Sequence, residues 1–394
     1  MKKVNKPVKA YKGFNKHMQC TPNGKIFQYE IGKEYKEDEA NLCYCGFHAC
    51  ENPLDVLSYY NNIDDKFCEV ELDKIDPNRN KDSKICGKKI KVGIEIGFLG
   101  LFKAGIEWIK NKTIFTEEDF RKLPSSYNAK ISSSDYNAKI SSSSDYARIG
   151  SSGDSAKIGS SSDGAKIGSS GSYAQIGSSS DYAQIGSSSD YAQIGSSGYN
   201  VQIGSSGHNA KIGSSGYNAQ ISSSGYNVQI GSSGDDAKIS SSGDDAKIGS
   251  SGDGTKIGSS SDGAKIGSSG SYAQISSSGY NVKIGSSGDD TKISSSGNYA
   301  QIGSSGDNAK IGSSGDDAKI SSSGDDCVIM CAGINSSAKA KIGSWITLAE
   351  WKYSEEKQRD IPFSVVTKQV DGIEIKEDVY YTLQDGKFKE SKQH

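Results

Sequence analysis

A mostly β chain is predicted: a β-solenoid of nine-residue repeats, preceded by an α+β domain and followed by a small β-rich cap. Isoleucine recurs every nine residues from Ile131 to Ile329, 23 times without a slip. No Pro, Leu, Phe or Trp lies between Tyr127 and Met330. Proline donates nothing to a hydrogen-bonded ladder, so its absence fits an uninterrupted stack of strands. Apolar and polar residues alternate within each unit, as in Ala237-Lys238-Ile239-Ser240, which is the period of a strand. Composition alone would suggest disorder, because only 34% of the 394 residues are hydrophobic and 47 are glycine. A fixed period overrides that suggestion, since it marks a repeat architecture.

Residues 1–126 read as the α+β domain. Tyr11–Phe14 and Phe27–Ile31 have the composition of short strands. Asn52-Pro53 opens a helix, with Asn as the N-cap and Pro in the first turn, followed by Leu54, Val56, Leu57, Tyr59 and Tyr60. Phe67–Leu72 and Ile90–Ile96 alternate as strands do. Thr116-Glu117-Glu118-Asp119 reads as a helix start leading to Phe120.

Residues 127–330 carry the unit [A/V/T]-[K/Q/R]-I-[G/S]-S-S-[G/S]-x-x. Nine is not a helical period, and Gly and Ser are poor helix formers. The Ala and Ile side chains face inward, with inward serines expected to hydrogen-bond along the stack. The Ser-Ser-Gly-Asp-Asp segment turns the corner. Glycine there is expected to supply positive φ, and Asp or Asn to cap backbone donors. One unit cannot bury its apolar face, whereas stacked units can. Two units per coil give 18 residues and a rod of roughly 55 Å; three give 27 residues and roughly 37 Å. Val201, Val228, Thr255 and Val282 recur every 27 residues, while Ser222, Ser240, Ser276 and Ser294 are spaced by multiples of 18. The 18-residue coil is favoured, because an interior filled only by Ala and Ile suits a thin, flattened coil.

Residues 331–394 leave the repeat. Trp345 and Trp351 bring bulky apolar surface, and Phe363–Val370 with Ile373–Leu383 reads as a hairpin around Asp371-Gly372. The segment is expected to cap the open end of the solenoid, which would otherwise expose unpaired strand edges. Homo-oligomers through those ends or edges are an accompanying expectation.

Charge excludes several function classes. Lys+Arg is 46 against 48 Asp+Glu, a net of −2. From Tyr127 to Met330 the balance is 14 against 19 Asp, neither the basic stripe of a nucleic-acid binder nor the dense acid of a nucleic-acid mimic. No run of 18 apolar residues and no secretory h-region is visible, and eight cysteines suit a reducing compartment, so a cytoplasmic protein with free thiols and no membrane contact is expected. No Ser/His/Asp arrangement, phosphate loop or paired-carboxylate cleft can be drawn, so neither catalytic residues nor a cofactor are assigned. Cys43, Cys45, His48 and Cys50 have zinc-type side chains, but the Cys-x-Cys spacing is unlike a zinc knuckle. Alternation would place Cys43 and Cys45 on one face, where core packing explains them.

The variable positions are banded. Residues 172–230 are rich in Tyr and Gln, interrupted by His208, and residues 235–267 in Asp and Lys. Units with corner Asp mostly carry Lys before the isoleucine, which suggests local charge compensation. Tyr173, Tyr182, Tyr191, Tyr199, Tyr217 and Tyr226 are the candidate binding residues, because stacked tyrosines offer rigid amphipathic area. The contrary explanation is drift of solvent-facing positions under a solubility constraint.

The run Gly46-Phe47-His48-Ala49-Cys50-Glu51-Asn52-Pro53-Leu54-Asp55-Val56-Leu57-Ser58-Tyr59-Tyr60, with Tyr29-Glu30-Ile31-Gly32-Lys33 before it, resembles a domain-of-unknown-function family. That family is common in bacteria and their phages and often precedes Ser/Gly-rich nonapeptide repeats. The likeness covers roughly residues 8–75, and Trp345–Trp351 looks like the end of the same proteins. The resemblance implies an architecture and no activity. A second likeness runs through Tyr11-Lys12-Gly13, Gly32, Gly46-Phe47-His48 and Phe67–Leu72, similar in order to compact ADP-ribosyltransferases. It implies an NAD cleft, yet Lys12 stands where a His would be expected and no later acid can be assigned.

The expected function is therefore a non-enzymatic scaffold or binding protein, phage- or prophage-encoded, working in the host cytoplasm. Its Tyr/Gln and Asp/Lys surface would meet a protein partner, and nucleic acid is not expected to bind. The alternatives are an ADP-ribosyltransferase-like, NAD-binding N-terminal module carried on the rod, and a decoy that occupies a nucleic-acid-binding host protein.

Overall fold

The computed structural model describes residues 7–21, 26–60, 64–78, 83–113 and 127–391. The chain divides into two compact units, residues 1–111 and 112–394. The helix start expected at Thr116 lies outside the described residues.

In the N-terminal unit, strands β1 (Val8–Phe14), β5 (Phe47–Cys50), β6 (Lys66–Ile75) and β7 (Lys84–Glu95) pair antiparallel in the order β7-β5-β1-β6. The long β7 also pairs with β6, closing the ring, and carries β4 (Glu34–Lys36) on its other edge. Gly87 and Gly93 permit this wrapping, since a Cβ at either would lie 2.8 Å from a carbonyl oxygen of β6. β2 (Gln19–Cys20) and β3 (Phe27–Gln28) form a small ribbon. The strand expected over Phe27–Ile31 is thus confined to its first two residues.

The expected helix at Asn52-Pro53 is a 3₁₀ helix, Pro53–Ser58, in which the Asn52 side chain accepts from the Leu54 N–H at 3.1 Å. A second helix, α1 (Gly97–Thr113), was not foreseen. Leu101, Phe102 and Ile109 bury themselves with Leu54, Leu57 and Phe67. Phe98, Leu101, Phe102, Ile106 and Ile109 have helical spacing, which Gly100 and Gly105 disguised. Gly105 is there for contact: its Cβ would stand 2.5 Å from Cγ of Leu54.

The second unit is the solenoid. Strands β8 to β30, four residues each, run from Lys130–Ser133 to Val328–Cys331. Each pairs in parallel with the strand 18 residues away, Ile149 with Ile131 and Ile167, Ile158 with Ile140 and Ile176. The coil therefore holds two units. Even-numbered strands form a front sheet and odd-numbered strands a back sheet. Ala, Val or Thr and Ile from both sheets fill the space between them, Ala237 at 0% and Ile239 at 2% exposure.

At the corners the division of labour differs from the expectation. The left-handed residue is the last of each unit, for example Tyr191 (φ 56°), Asn227 (53°), Asp245 (56°) and Gly254 (65°). Asn, Asp and Gly tolerate that conformation best. The glycine two places earlier has no positive φ and serves close approach instead: a Cβ on Gly216 would lie 1.7 Å from Gly198 O in the coil before it. Serine occupies this place at Ser180 and Ser261, where its hydroxyl turns inward and donates to Ser160 Oγ (3.0 Å) or Ser241 Oγ (3.3 Å).

The capping role of Asp holds across coils. Asp181 Oδ1 accepts from Tyr199 N (2.6 Å), Asp190 from His208 N (2.8 Å) and Asp262 from Tyr280 N (2.7 Å). His208 Nδ1 does the same for Tyr226 N at 3.1 Å, which explains a histidine in that column.

Gly216→Ala is expected to cost about 1–3 kcal/mol, because its Cβ meets backbone. Gly168→Ala, whose Cβ faces open space, should stay within about 0.5 kcal/mol. Urea midpoints of the two variants check this, and equal shifts would refute the close-approach explanation.

The inward serines do less than foreseen. Ser142, Ser178 and Ser187 accept from the N–H two residues on, at 3.1–3.2 Å. Ser205, Ser277, Ser304 and Ser313 have buried hydroxyls with no partner. They fill the narrow ends of the coil, and the expected hydrogen-bonded serine ladder is limited to a few cross-coil pairs such as Ser160–Ser180.

Beyond Cys331, β31 (Ser337–Lys339) continues the back sheet and β32 (Trp345–Ser354) the front sheet. β33 (Arg359–Gln369) turns back antiparallel along β32. β34 (Tyr381–Gln384) meets β31 at Ala338 and pairs with β35 (Lys387–Glu390). The expected hairpin around Asp371-Gly372 is therefore wrong: the partner of residues 363–369 precedes them. Asp371 Oδ1 instead accepts from the N–H groups of Ile373, Glu374 and Ile375 at 2.8–3.0 Å, which folds that segment into a loop. The Asp-Gly hairpin turn lies at Asp385-Gly386, both at positive φ (51° and 69°).

Candidate functional site

The front sheet turns one residue before each isoleucine outward. Lys130, Arg148, Lys166, Gln184, Gln202, Gln220, Lys238, Lys256, Gln274, Lys292 and Lys310 stack in register and are exposed. The next outward position holds only Gly or Ser until Met330. Nothing stands within 4 Å of a Cβ built on Gly150, Gly168 or Gly186. The result is a strip with a floor of glycine and serine only and a basic or amide rim. The expected compensation of these lysines by corner Asp is not made through ion pairs. Among the described residues none of the seven front-sheet cations reaches a carboxylate within 4.0 Å; the first corner acid, as in Asp235 and Asp253, accepts from the next coil's backbone instead.

The six candidate tyrosines divide between the two edges of the coil. Tyr173, Tyr191 and Tyr226 follow front strands, whereas Tyr182, Tyr199 and Tyr217 follow back strands. Tyr173 stacks on Tyr191 (5.0 Å, 9°) and Tyr199 on Tyr217 (4.9 Å, 23°). All six are 40–64% exposed. The band is thus a glutamine strip, Gln184–Gln202–Gln220, with tyrosines along both margins. Periodicity taken at 18 residues instead of nine would have separated these columns.

A second concavity of about 710 Å³ lies within the N-terminal unit. Its wall includes Tyr11, Lys12 and Gly13 of β1, Phe47–Cys50 of β5, Tyr59 and Tyr60 after the 3₁₀ helix, and Lys84 of β7. Lys12 is only 9% exposed. Its Nζ donates to His48 O at 3.0 Å and lies 5.5 and 5.6 Å from the ring centres of Phe14 and Tyr29. His48 Nε2 accepts from Cys43 N at 2.9 Å. Lys84 Nζ stands 4.5 Å over the Tyr59 ring.

Residues 8–104 match the family model described as Domain of unknown function (DUF7666). Neither the curated proteins nor the solved structures include a match to the chain. The matched stretch contains every residue of the cleft wall and both runs that carry the resemblance noted in the sequence.

Within the matched residues the four metal candidates all line the cleft, but they differ in setting. Cys43 is exposed in a turn at φ 71°, Cys45 is half-buried, and Cys50 is buried in the core beside Leu54 and Phe67. Among the described residues no group of three or more His, Cys, Asp or Glu could hold a metal ion. Core packing accounts for Cys50, Cys68 and Cys86, whose thiols burial pushes up to about 12 in the last two, but not for Cys43.

Burial, with Lys12 and Lys84 nearby, holds the His48 pKa below its usual value of 6.5. The unfolded chain therefore takes up the proton first. The resulting stability is present above about pH 6.5 and is lost as pH falls through the folded-state value. Protection of β5 amides from hydrogen exchange should drop between pH 7 and pH 5, and His48→Gln, which keeps an acceptor but cannot titrate, should flatten that dependence. A pH-independent wild type would reject the assignment.

Among the described residues no helix is long and apolar enough to cross a membrane.

Proposed function

We propose that this protein is a non-enzymatic binding scaffold whose front face receives an extended, acidic segment of a protein partner. The observation that carries the proposal is the column of seven exposed cations without carboxylate partners, set beside a floor of glycine and serine. A backbone already paired on both sides holds that column in place, so little ordering entropy opposes binding. The Gln184–Gln220 strip and its tyrosine margins supply hydrogen bonds and stacking area in mid-rod. The Asp/Lys units support an acid-mimicking decoy less well, since Asp235, Asp244, Asp253 and Asp262 of that band cap backbone. The resemblance of the N-terminal run and tail to phage-borne proteins supports a place in the cytoplasm of an infected or lysogenic bacterium.

The test is titration of the full chain with a fluorescent oligo-glutamate peptide. Exposed charge pairs contribute about 0.2–1 kcal/mol each. Replacing Arg148, Lys166, Lys238 and Lys256 together by Gln should therefore weaken binding roughly tenfold and reduce its salt dependence. Changing Tyr182, Tyr191, Tyr199 and Tyr217 to Asn, a residue already found at these corners, separates contact from shielding of the corner backbone. No binding by the wild type, or binding indifferent to the four charges, would reject the proposal.

A further inference from the structure

A buried ammonium needs either an anion or a full set of acceptors. Lys12 has three N–H donors and uses one, toward His48 O. Two aromatic faces offer weak compensation. Among the described residues of the cleft wall the only carboxylate is Glu37, and it accepts from Gly46 N at 2.8 Å instead of pairing with Lys12. Lys84 adds a second positive charge at the rim.

The volume, about 710 Å³, falls in the range of small-ligand sites. Much of the wall is aromatic, with Tyr11, Tyr44, Phe47, Tyr59 and Tyr60. Gly13 has no room for a side chain, since its Cβ would strike Tyr60 at 2.5 Å. That contact fixes the Tyr60 ring against β1, next to Lys12.

We propose that this cleft binds a small molecule carrying a phosphate or carboxylate on an aromatic ring system, with the anion on Lys12 Nζ and the ring against the tyrosines of the wall. The site is independent of the rod and would load it with a small-molecule signal or cargo at one end of the chain.

The experiment is equilibrium binding to the full-length chain of two matched probe pairs, AMP with adenosine and indole-3-acetate with indole. A charge-assisted contact of this kind corresponds to a ~10-fold or larger preference. The expected result is that at least one anionic probe binds ~10-fold more tightly than its neutral counterpart, and that Lys12→Met, which keeps the stem and removes the charge, abolishes the preference. The probe comparison needs no variant, so it stands even if Lys12→Met fails to fold. Equal affinity within both pairs, no binding by either anion, or a preference retained in a folded Lys12→Met chain would overturn the proposal. Which pair discriminates identifies the anion as phosphate or carboxylate.

Discussion

Truncation after Met330 is expected to turn a monodisperse protein into end-to-end oligomers or aggregates. The cut removes β31 to β35 and leaves strands of both sheets with unpaired N–H and C=O groups. It also opens the core. Ile346, Leu348, Val370, Ile375, Tyr381 and Leu383 are 0–6% exposed and pack in the same cluster as Ile320 and Ile329. Buried side chains of this size contribute about 1.5–3 kcal/mol each, so their loss exceeds what a domain holds in reserve. In the intact chain the outermost front strand is β33, and Pro362 within it has no N–H to offer a further strand. Light scattering after size exclusion decides the matter. A truncated monomer that melts at the full-length temperature would show that these strands are an appendage and not a closure.

The second large effect separates neighbours in sequence. Ile239→Ala should cost about 2–5 kcal/mol, as large-to-small changes in close-packed interiors do. Lys238→Ala, one residue away on the exposed face, should stay within about 0.5 kcal/mol. A solenoid coil touches only the coils before and after it, so the damage should be local. Hydrogen exchange of Ile239→Ala is expected to show fast amides in the adjacent coils and near-native protection in coils beyond them. Uniform loss of protection along the rod would instead indicate one all-or-none unit.

The inward-facing half of this fold was legible in the sequence because its chemistry is monotonous. Ile at every ninth residue and Ala two places before it leave one face to bury and one way to stack it. Features that depend on the neighbouring coil were not legible. Gly216 looks like a turn glycine, and only the carbonyl of Gly198 beside it shows that it is there for want of a Cβ. Asp253 and Asp262 look like partners for lysine until the N–H of the next coil is seen to claim them. The same holds at the C-terminus. Asp371-Gly372 and Asp385-Gly386 are indistinguishable as dipeptides, and strand pairing at a distance decides which one turns a hairpin. Of the candidate sites, the tyrosines could be named but not sorted between edges. Lys12 was noticed as a departure from another family's pattern, yet its burial without a carboxylate could not be read from the chain.

Because the coil closes after two units, the parity of a unit decides which side of the rod it faces. Gain or loss of 18 residues changes the length by about 4.8 Å and leaves every downstream column where it was. Gain or loss of nine transfers all downstream residues to the opposite side. Inward positions are indifferent to this exchange: Val201 and Thr255 precede front strands, Val228 and Val282 back strands, and all four are fully buried. Outward positions differ more: Ser222, Ser240, Ser276 and Ser294 stand on the front, while Ser141 and Ser321 are the back-sheet counterparts. The rod is thus a ruler graduated in whole coils: its core is the same after any duplication, whereas an odd one exchanges the columns of its two faces.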